Sequence, residues 1–283
     1  IPSAIKFHSR FRDQSSNPGN SAAFKQQFPA QTAAIAVTQF GNINLDALVS
    51  RALGRVVLDM AGPETLPALL SGLKSKDEAT RYLCAGGIAA QRTAIAADKE
   101  RMDQTVRAVR EAGLAETSPI VLSRLYLALS VPANQAAVFD TFMAIFENRL
   151  KYRRGPAVIA DGAEIDAYEF FRTPAVLNAL NQQQKEQLAH SLAVFLRMDA
   201  RRYDTPGLTF DETDKLNRMM DAVEEILTSV IGPGKGGNIR DALATGGGGA
   251  AALQQAYLWI GNAETNQQGA LNAAPWNVPV GAP

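Results

Sequence analysis

Acidic residues are the first candidates for chemistry, because paired carboxylates can transfer protons or bind a metal ion. They form two groups: Asp161, Glu164, Asp166 and Glu169, then Asp204, Asp211, Glu212 and Asp214. Neither group has the spacing of a calcium loop, in which a glycine and a terminal glutamate hold fixed positions. The first group could serve an enzyme if its carboxylates met in a pocket with a base.

The other catalytic residue types give weak signals. Only two histidines occur, His8 and His190, and neither stands beside a carboxylate. A serine triad would have to use one of them, and no nucleophile-elbow sequence is present. The single cysteine, Cys84, is surrounded by small residues and is interpreted as a buried apolar side chain. We therefore predict no catalytic residue, no cofactor and no metal.

A glycine-rich stretch begins at residue 232 and reads GPGKGGNIRDALATGGGG. A phosphate-binding loop needs four residues between its first glycine and a Gly-Lys pair, then Ser or Thr. Lys235 is instead followed by two glycines and an asparagine, so this motif is absent. Glycines 246–249 could offer bare amides to an anion at a helix start. The interpretation we favour is a hinge before a last helix at about 250–261.

Basic residues form a candidate interaction patch. They cluster at Arg149, Lys151, Arg153 and Arg154, and again at Arg197, Arg201 and Arg202. Both clusters end predicted helices, where exposed carbonyls favour cations, and this alone could explain them. If the two helix ends lie at one edge of the fold, they form a positive surface.

The composition limits the classes of partner. Basic and acidic residues balance at 28 each, which gives no long-range attraction to nucleic acid or to an anionic bilayer. No apolar run approaches the roughly 18 residues that span a membrane. The chain begins at Ile1 rather than Met, which slightly favours an exported protein with a cleaved signal peptide.

The elements that would position these residues are helices. The most informative segment, residues 63–91, reads PETLPALLSGLKSKDEATRYLCAGGIAAQ. Its spacing predicts a short helix with four leucines on one face, a turn at KSKD and a second helix from Asp77. Gly86 and Gly87 each cost about 1 kcal/mol against alanine inside a helix, which indicates a close helix contact there.

This segment resembles a HEAT repeat in a proline within the first helix, the leucines around it, an aspartate opening the second helix and an arginine four residues later. The residues that carry the resemblance are Pro67, Leu70, Leu73, Asp77 and Arg81. The resemblance implies stacked helix hairpins, an α-solenoid, in which the aspartate and arginine tie neighbouring hairpins together. HEAT-like hydroxylases hold iron with several His-Glu pairs, which this sequence lacks. HEAT-like DNA glycosylases are strongly basic, whereas this chain has balanced charge, so neither enzyme class is expected.

The predicted fold is all-α. We expect an irregular N-terminal arm over 1–40, a HEAT-like helical domain over 41–263, and an extended tail over 264–283. A loop or hairpin would interrupt the domain near 153–163, followed by a helix at about 164–180. Longer, bundle-like helices would complete its C-terminal half.

A stack of this kind offers a long curved surface and few deep pockets. We therefore expect a non-catalytic protein-binding or scaffold module with a protein or peptide partner, as a possible subunit of a larger assembly. The alternative is an enzyme, a lyase or a hydrolase, that uses the carboxylates at 161–169. Nucleic acid is not expected as a partner.

Overall fold

The computed structural model describes residue 13 and the ranges 17–42, 44–60, 62–131, 135–153, 161–204, 206–245 and 248–280. In these ranges the regular structure is helical, with thirteen α-helices, two 3-10 helices and no strand, so the predicted all-α class is confirmed. None of the described helices is long and apolar enough to span a membrane.

The chain forms two compact units, Ile1–Asn134 and Gln135–Pro283. The predicted helical domain of 41–263 extends over parts of both. The described residues of the first unit form the helices α1 (Ala22–Phe40), α2 (Ala47–Met60), α3 (Leu66–Gly72), α4 (Glu78–Ala96), α5 (Lys99–Ala115) and α6 (Pro119–Leu129). Helix α3 packs against α1 and α5, and α4 packs against α2 and α6. Consecutive helices also contact each other within the pairs α1 and α2, α3 and α4, and α5 and α6.

Side chains at the helix starts explain where several helices begin. The Asp46 carboxylate accepts from the backbone N–H of Leu48 at 2.8 Å, and Asp77 accepts from the N–H of Thr80 at 2.9 Å. Asp98 does the same at the start of α5. Such caps satisfy backbone donors that have no partner within the helix.

Helix α1 was not predicted, and the irregular arm expected over 1–40 is wrong for Ala22–Phe40. Its residues are mostly alanine and small polar types, with Pro29 in the interior, so the sequence shows no clear 3.6-residue period. Tertiary packing stabilises it instead, since Ala33, Ala36 and Phe40 are buried. Residues 1–12 of the predicted arm lie outside the described residues.

The leucine face of α3 differs from the prediction by one position. Leu66, Leu69 and Leu73 are buried, as expected, whereas Leu70 is half-buried. Ala68, which was not part of the predicted leucine face, is fully buried. A helix of only seven residues turns a narrow face toward its neighbours, so four leucines cannot all share that face.

In the second unit, the described residues form the helices α7 (Gln135–Arg153), α8 (Ile165–Phe171), α9 (Pro174–Ala179), α10 (Gln182–Asp204), α11 (Phe210–Ile231), α12 (Ile239–Ala244) and α13 (Gly248–Ile260). Helix α10 packs against α7, α11 and α13. An aromatic cluster fills the core. Its members Phe142, Phe146, Phe171 and Phe195 are fully buried, and the Phe146 and Phe195 rings meet edge to face at 5.2 Å.

The helix expected at about 164–180 is divided into α8 and α9. Thr173 adopts an extended conformation between them. Proline disfavours helical geometry in the residue that precedes it, and Pro174 follows Thr173. Of the loop or hairpin predicted at 153–163, residues 154–160 lie outside the described residues.

The tail predicted as extended over 264–283 folds back onto its own unit in its described part. A 3-10 turn at Ala270–Asn272 packs against α13. Trp276 and Val278 are buried, and the Trp276 carbonyl lies 2.7 Å from Nε2 of His190 on α10. Apolar burial therefore holds the tail on the second unit.

Candidate interaction groove

Two of the four carboxylates proposed for an enzyme form ion pairs with one arginine. The Arg149 guanidinium is 4% exposed and lies 2.7 Å from Oδ2 of Asp161 and 2.8 Å from Oε1 of Glu164. Burial lowers the pKa of Arg149, but the charges of Glu164 and Asp161 outweigh this effect and hold it above its ordinary value. An arginine bound in this way keeps both acids engaged in structural ion pairs.

Glu169 and His190, the other candidates for this chemistry, have contacts elsewhere. Glu169 is exposed and pairs with Arg172 at 2.9 Å. His190 lies on α10, where its ring nitrogen contacts the tail. Within the described ranges, no three residues of the types that ligate metals are close enough together to hold an ion.

Two arginines of the predicted basic patch are also paired with carboxylates. Arg149 is buried, so its inclusion in an exposed patch is wrong. Arg202 pairs with Oε1 of Glu212 at 2.9 Å, while Lys151 and Arg201 are exposed. The Arg153 side chain and Arg154 lie outside the described residues.

The glycine-rich stretch is a packing element of the second unit. A Cβ atom on Gly236 would lie 2.1 Å from the Trp259 ring, and one on Gly237 would lie 2.0 Å from the Gln255 carbonyl oxygen. The Trp259 indole N–H donates to the Gly237 carbonyl at 3.0 Å. Only glycine allows the backbone to approach the ring so closely. Lys235 points away and is exposed.

A surface depression of a different kind lies in the first unit, where α1, α3 and α5 end and α2, α4 and α6 begin. We call it the turn groove. It consists of two adjoining depressions of about 320 Å³ and 380 Å³, which share Lys74 and Ser75. The first is also lined by Phe40, Asn42, Leu45, Ala47, Ser50, Lys76 and Asp77. The second is lined by Leu73, Arg81, Ala108, Glu111, Ala112, Ala115, Glu116 and Thr117.

Two of the three acids that line the turn groove are tied into the fold. Arg51 Nη2 donates to Oδ1 of Asp77 at 2.7 Å, and this hydrogen bond holds the pKa of Asp77 below its usual range. Arg81 Nε donates to Oε2 of Glu116 at 2.7 Å. Burial raises the pKa of Glu116, but the hydrogen bonds from Arg81 and from the Ser118 amide give a net lowering.

The cations of the groove are more available than its acids. Lys74 Nζ lies 3.0 Å from Glu111, and these side chains are 63% and 66% exposed. Lys76 is exposed and has no carboxylate partner in the described part of the chain. Arg107 borders a continuation of the groove beside Leu70, and its Nε donates to the Asp103 carbonyl. In the two depressions the lining acids and cations balance in number, but Asp77 and Glu116 are largely buried in their arginine pairs. The exposed charged side chains are three cations, Lys74, Lys76 and Arg107, and one acid, Glu111, so the exposed rim is positive.

The resemblance pointed to Asp77 and Arg81, and it missed their partners. Arg51 of α2 binds Asp77 at the start of α4, and Arg81 of α4 binds Glu116 just before α6. A signal was present at α2 and α4, because the acid at the start of each of these helices is followed four or five residues later by an arginine. The pairs are Asp46 with Arg51 and Asp77 with Arg81.

No protein-family model matches the chain, and no curated protein and no solved structure matches it either. The assignment of a function therefore depends on the geometry of the two units alone.

Proposed function

We propose that the chain is a non-catalytic protein-binding or scaffold module and that it serves as a subunit of a larger assembly. Its first unit would be a HEAT-like stack of three hairpins, formed by α1 and α2, α3 and α4, and α5 and α6. The even-numbered helices would form one layer and the odd-numbered helices the other.

The helix contacts support this arrangement. Helix α4 packs between α2 and α6, while α3 packs between α1 and α5. Polar side chains join successive even-numbered helices near their starts. Ser118 Oγ donates to Glu78 at 2.6 Å, and Arg124 Nη2 donates to the Tyr82 hydroxyl at 3.0 Å. Together with the arginine and acid pairs above, they would set the register of the stack.

The turn groove is the observation that carries the binding function. It is open and crosses three successive turns, and it combines an apolar floor with available cations. An enzyme has less support, because Asp161 and Glu164 are both bound to Arg149. Extended surfaces of repeat proteins commonly bind peptide or protein segments.

Purification from the native source tests this function. A tagged wild-type chain is expected to carry a stoichiometric protein partner through size-exclusion chromatography. Ala112→Trp, which fills the second depression from its half-buried floor, is expected to lose that partner. Asp214→Trp on the exposed face of α11 in the second unit serves as the control. A monomer without a partner, or equal loss in both variants, would contradict the proposal.

A further inference from the structure

We propose that the turn groove receives an extended, acidic segment of a partner protein. The inference rests on the protein-binding function proposed above and names the chemistry of the partner. It depends on the charge of the rim, the exposure of one ion pair and the order of the groove-lining residues.

The charge of the rim selects acidic side chains. Asp77 and Glu116 each accept hydrogen bonds from an arginine and from backbone amides, so they are committed to the fold. Lys74 and Lys76 project from the turn between α3 and α4 and are exposed. A positive rim attracts carboxylates and disfavours a basic segment.

Glu111 occupies the place that a partner carboxylate would take. Its ion pair with Lys74 is open to solvent on both sides, and such exposed pairs contribute little to stability. A carboxylate of the partner can therefore replace Glu111 at Lys74 without unfolding any element. Lys76 offers a second cation in the first depression.

The order of the residues indicates the pattern of the segment. Phe40, Leu45 and Ala47 line the first depression, and Ala108, Ala112 and Ala115 line the second. Lys74 lies between them and borders both. In an extended chain, side chains two residues apart point to the same face. A segment with an apolar residue, an acidic residue and a second apolar residue at alternate positions would therefore match the groove.

The test uses two labelled heptapeptides, GLSESLG and its basic counterpart GLSKSLG, with the full chain in a fluorescence anisotropy titration at low salt. We expect GLSESLG to bind and GLSKSLG to bind at least about tenfold more weakly. Added salt is expected to lower the affinity for the acidic peptide, because the peptide carboxylate and the Lys74 ammonium are both exposed to solvent.

Three variants assign the binding to the groove. Lys74→Glu is expected to lower the affinity for GLSESLG by about tenfold or more. Glu111→Gln is expected to raise that affinity by roughly threefold, because Lys74 then has no competing carboxylate at this position. Lys99→Glu makes the same charge change at the first residue of α5, far along that helix from Glu111, and is expected to have no effect. Circular dichroism melts of all three are expected to match the wild type, since these side chains are exposed.

The proposal of an acidic segment would be overturned if the two peptides bind equally, if neither peptide binds, or if Lys74→Glu leaves the affinity for GLSESLG unchanged. The broader function would then still stand if the Ala112→Trp variant loses its native partner. Absence of any native partner would instead overturn the function itself.

Discussion

Gly87 and Leu69 meet so closely that a Cβ atom on Gly87 would lie 2.5 Å from Cδ2 of Leu69. At the adjacent Gly86, no atom beyond the nearby backbone of α4 itself lies within 4 Å of the corresponding position. The two glycines of α4 therefore have different roles, although the sequence presents them as a pair. Gly87 allows α3 to approach α4, and Gly86 only adds backbone freedom to a helix.

Alanine substitutions separate these roles. Gly87→Ala is expected to lower the free energy of unfolding by about 1–3 kcal/mol, because Leu69 is fully buried and cannot move aside. Gly86→Ala is expected to raise it by up to about 1 kcal/mol through helix propensity. Urea denaturation followed by circular dichroism measures both. A loss of stability in Gly86→Ala, or a gain in Gly87→Ala, would contradict the packing.

The position of α3 gives a second prediction. Leu69→Asp is expected to unfold the first unit, because it places a carboxylate in a fully buried site without a partner. Leu70→Asp is expected to lower the free energy of unfolding by only about 1 kcal/mol, because Leu70 is half-buried beside the continuation of the turn groove. Thermal melts of the two variants provide the comparison. Similar melting temperatures would show that the assigned face of α3 is wrong.

Glu212 gives a prediction for pH. Hydrogen bonds from Thr209, at the start of α11, and from Arg202 lower the pKa of Glu212 from its ordinary 4.5 to about 2. A carboxylate with a lowered folded pKa stabilises the fold above its ordinary pKa, and this contribution disappears as the pH falls. The loss should therefore occur between about pH 4.5 and about pH 2.

Melting temperatures across that range measure the effect. The wild type is expected to exceed Glu212→Gln at neutral pH, and the gap is expected to close as the pH falls toward 2. A gap of constant size across the range would show that the Glu212 carboxylate does not contribute in its charged form.

Local signals predicted much of the first unit. The leucine spacing of 63–91 and the cap at Asp77 required only neighbouring residues. The cap is present, and three of the four leucines are buried, with Leu70 as the exception. Helix α1 lacked such a signal, since its alanines and polar residues have no clear period and Phe40 is buried through contacts made far along the chain. Helix propensity, which depends on neighbouring residues, does not predict stabilisation by tertiary packing.

The candidate sites depended even more on distant contacts. Arg149 and Glu164 each looked functional when considered alone, as part of a basic patch and of an acidic group. The fold joins them in one buried ion pair, which removes both from the surface. The turn groove was invisible in the sequence, because its lining comes from three separate turns.

Site-specific photo-cross-linking tests the central claim, that a protein partner lies in the turn groove. A photoreactive residue is placed at Thr117, an exposed residue of the groove lining, and in a second protein at Lys99. Both are irradiated with the native partner fraction and resolved by mass. We expect a single cross-linked partner from Thr117 and none from Lys99. Cross-linking from Lys99 alone, or the same products from both positions, would contradict this claim.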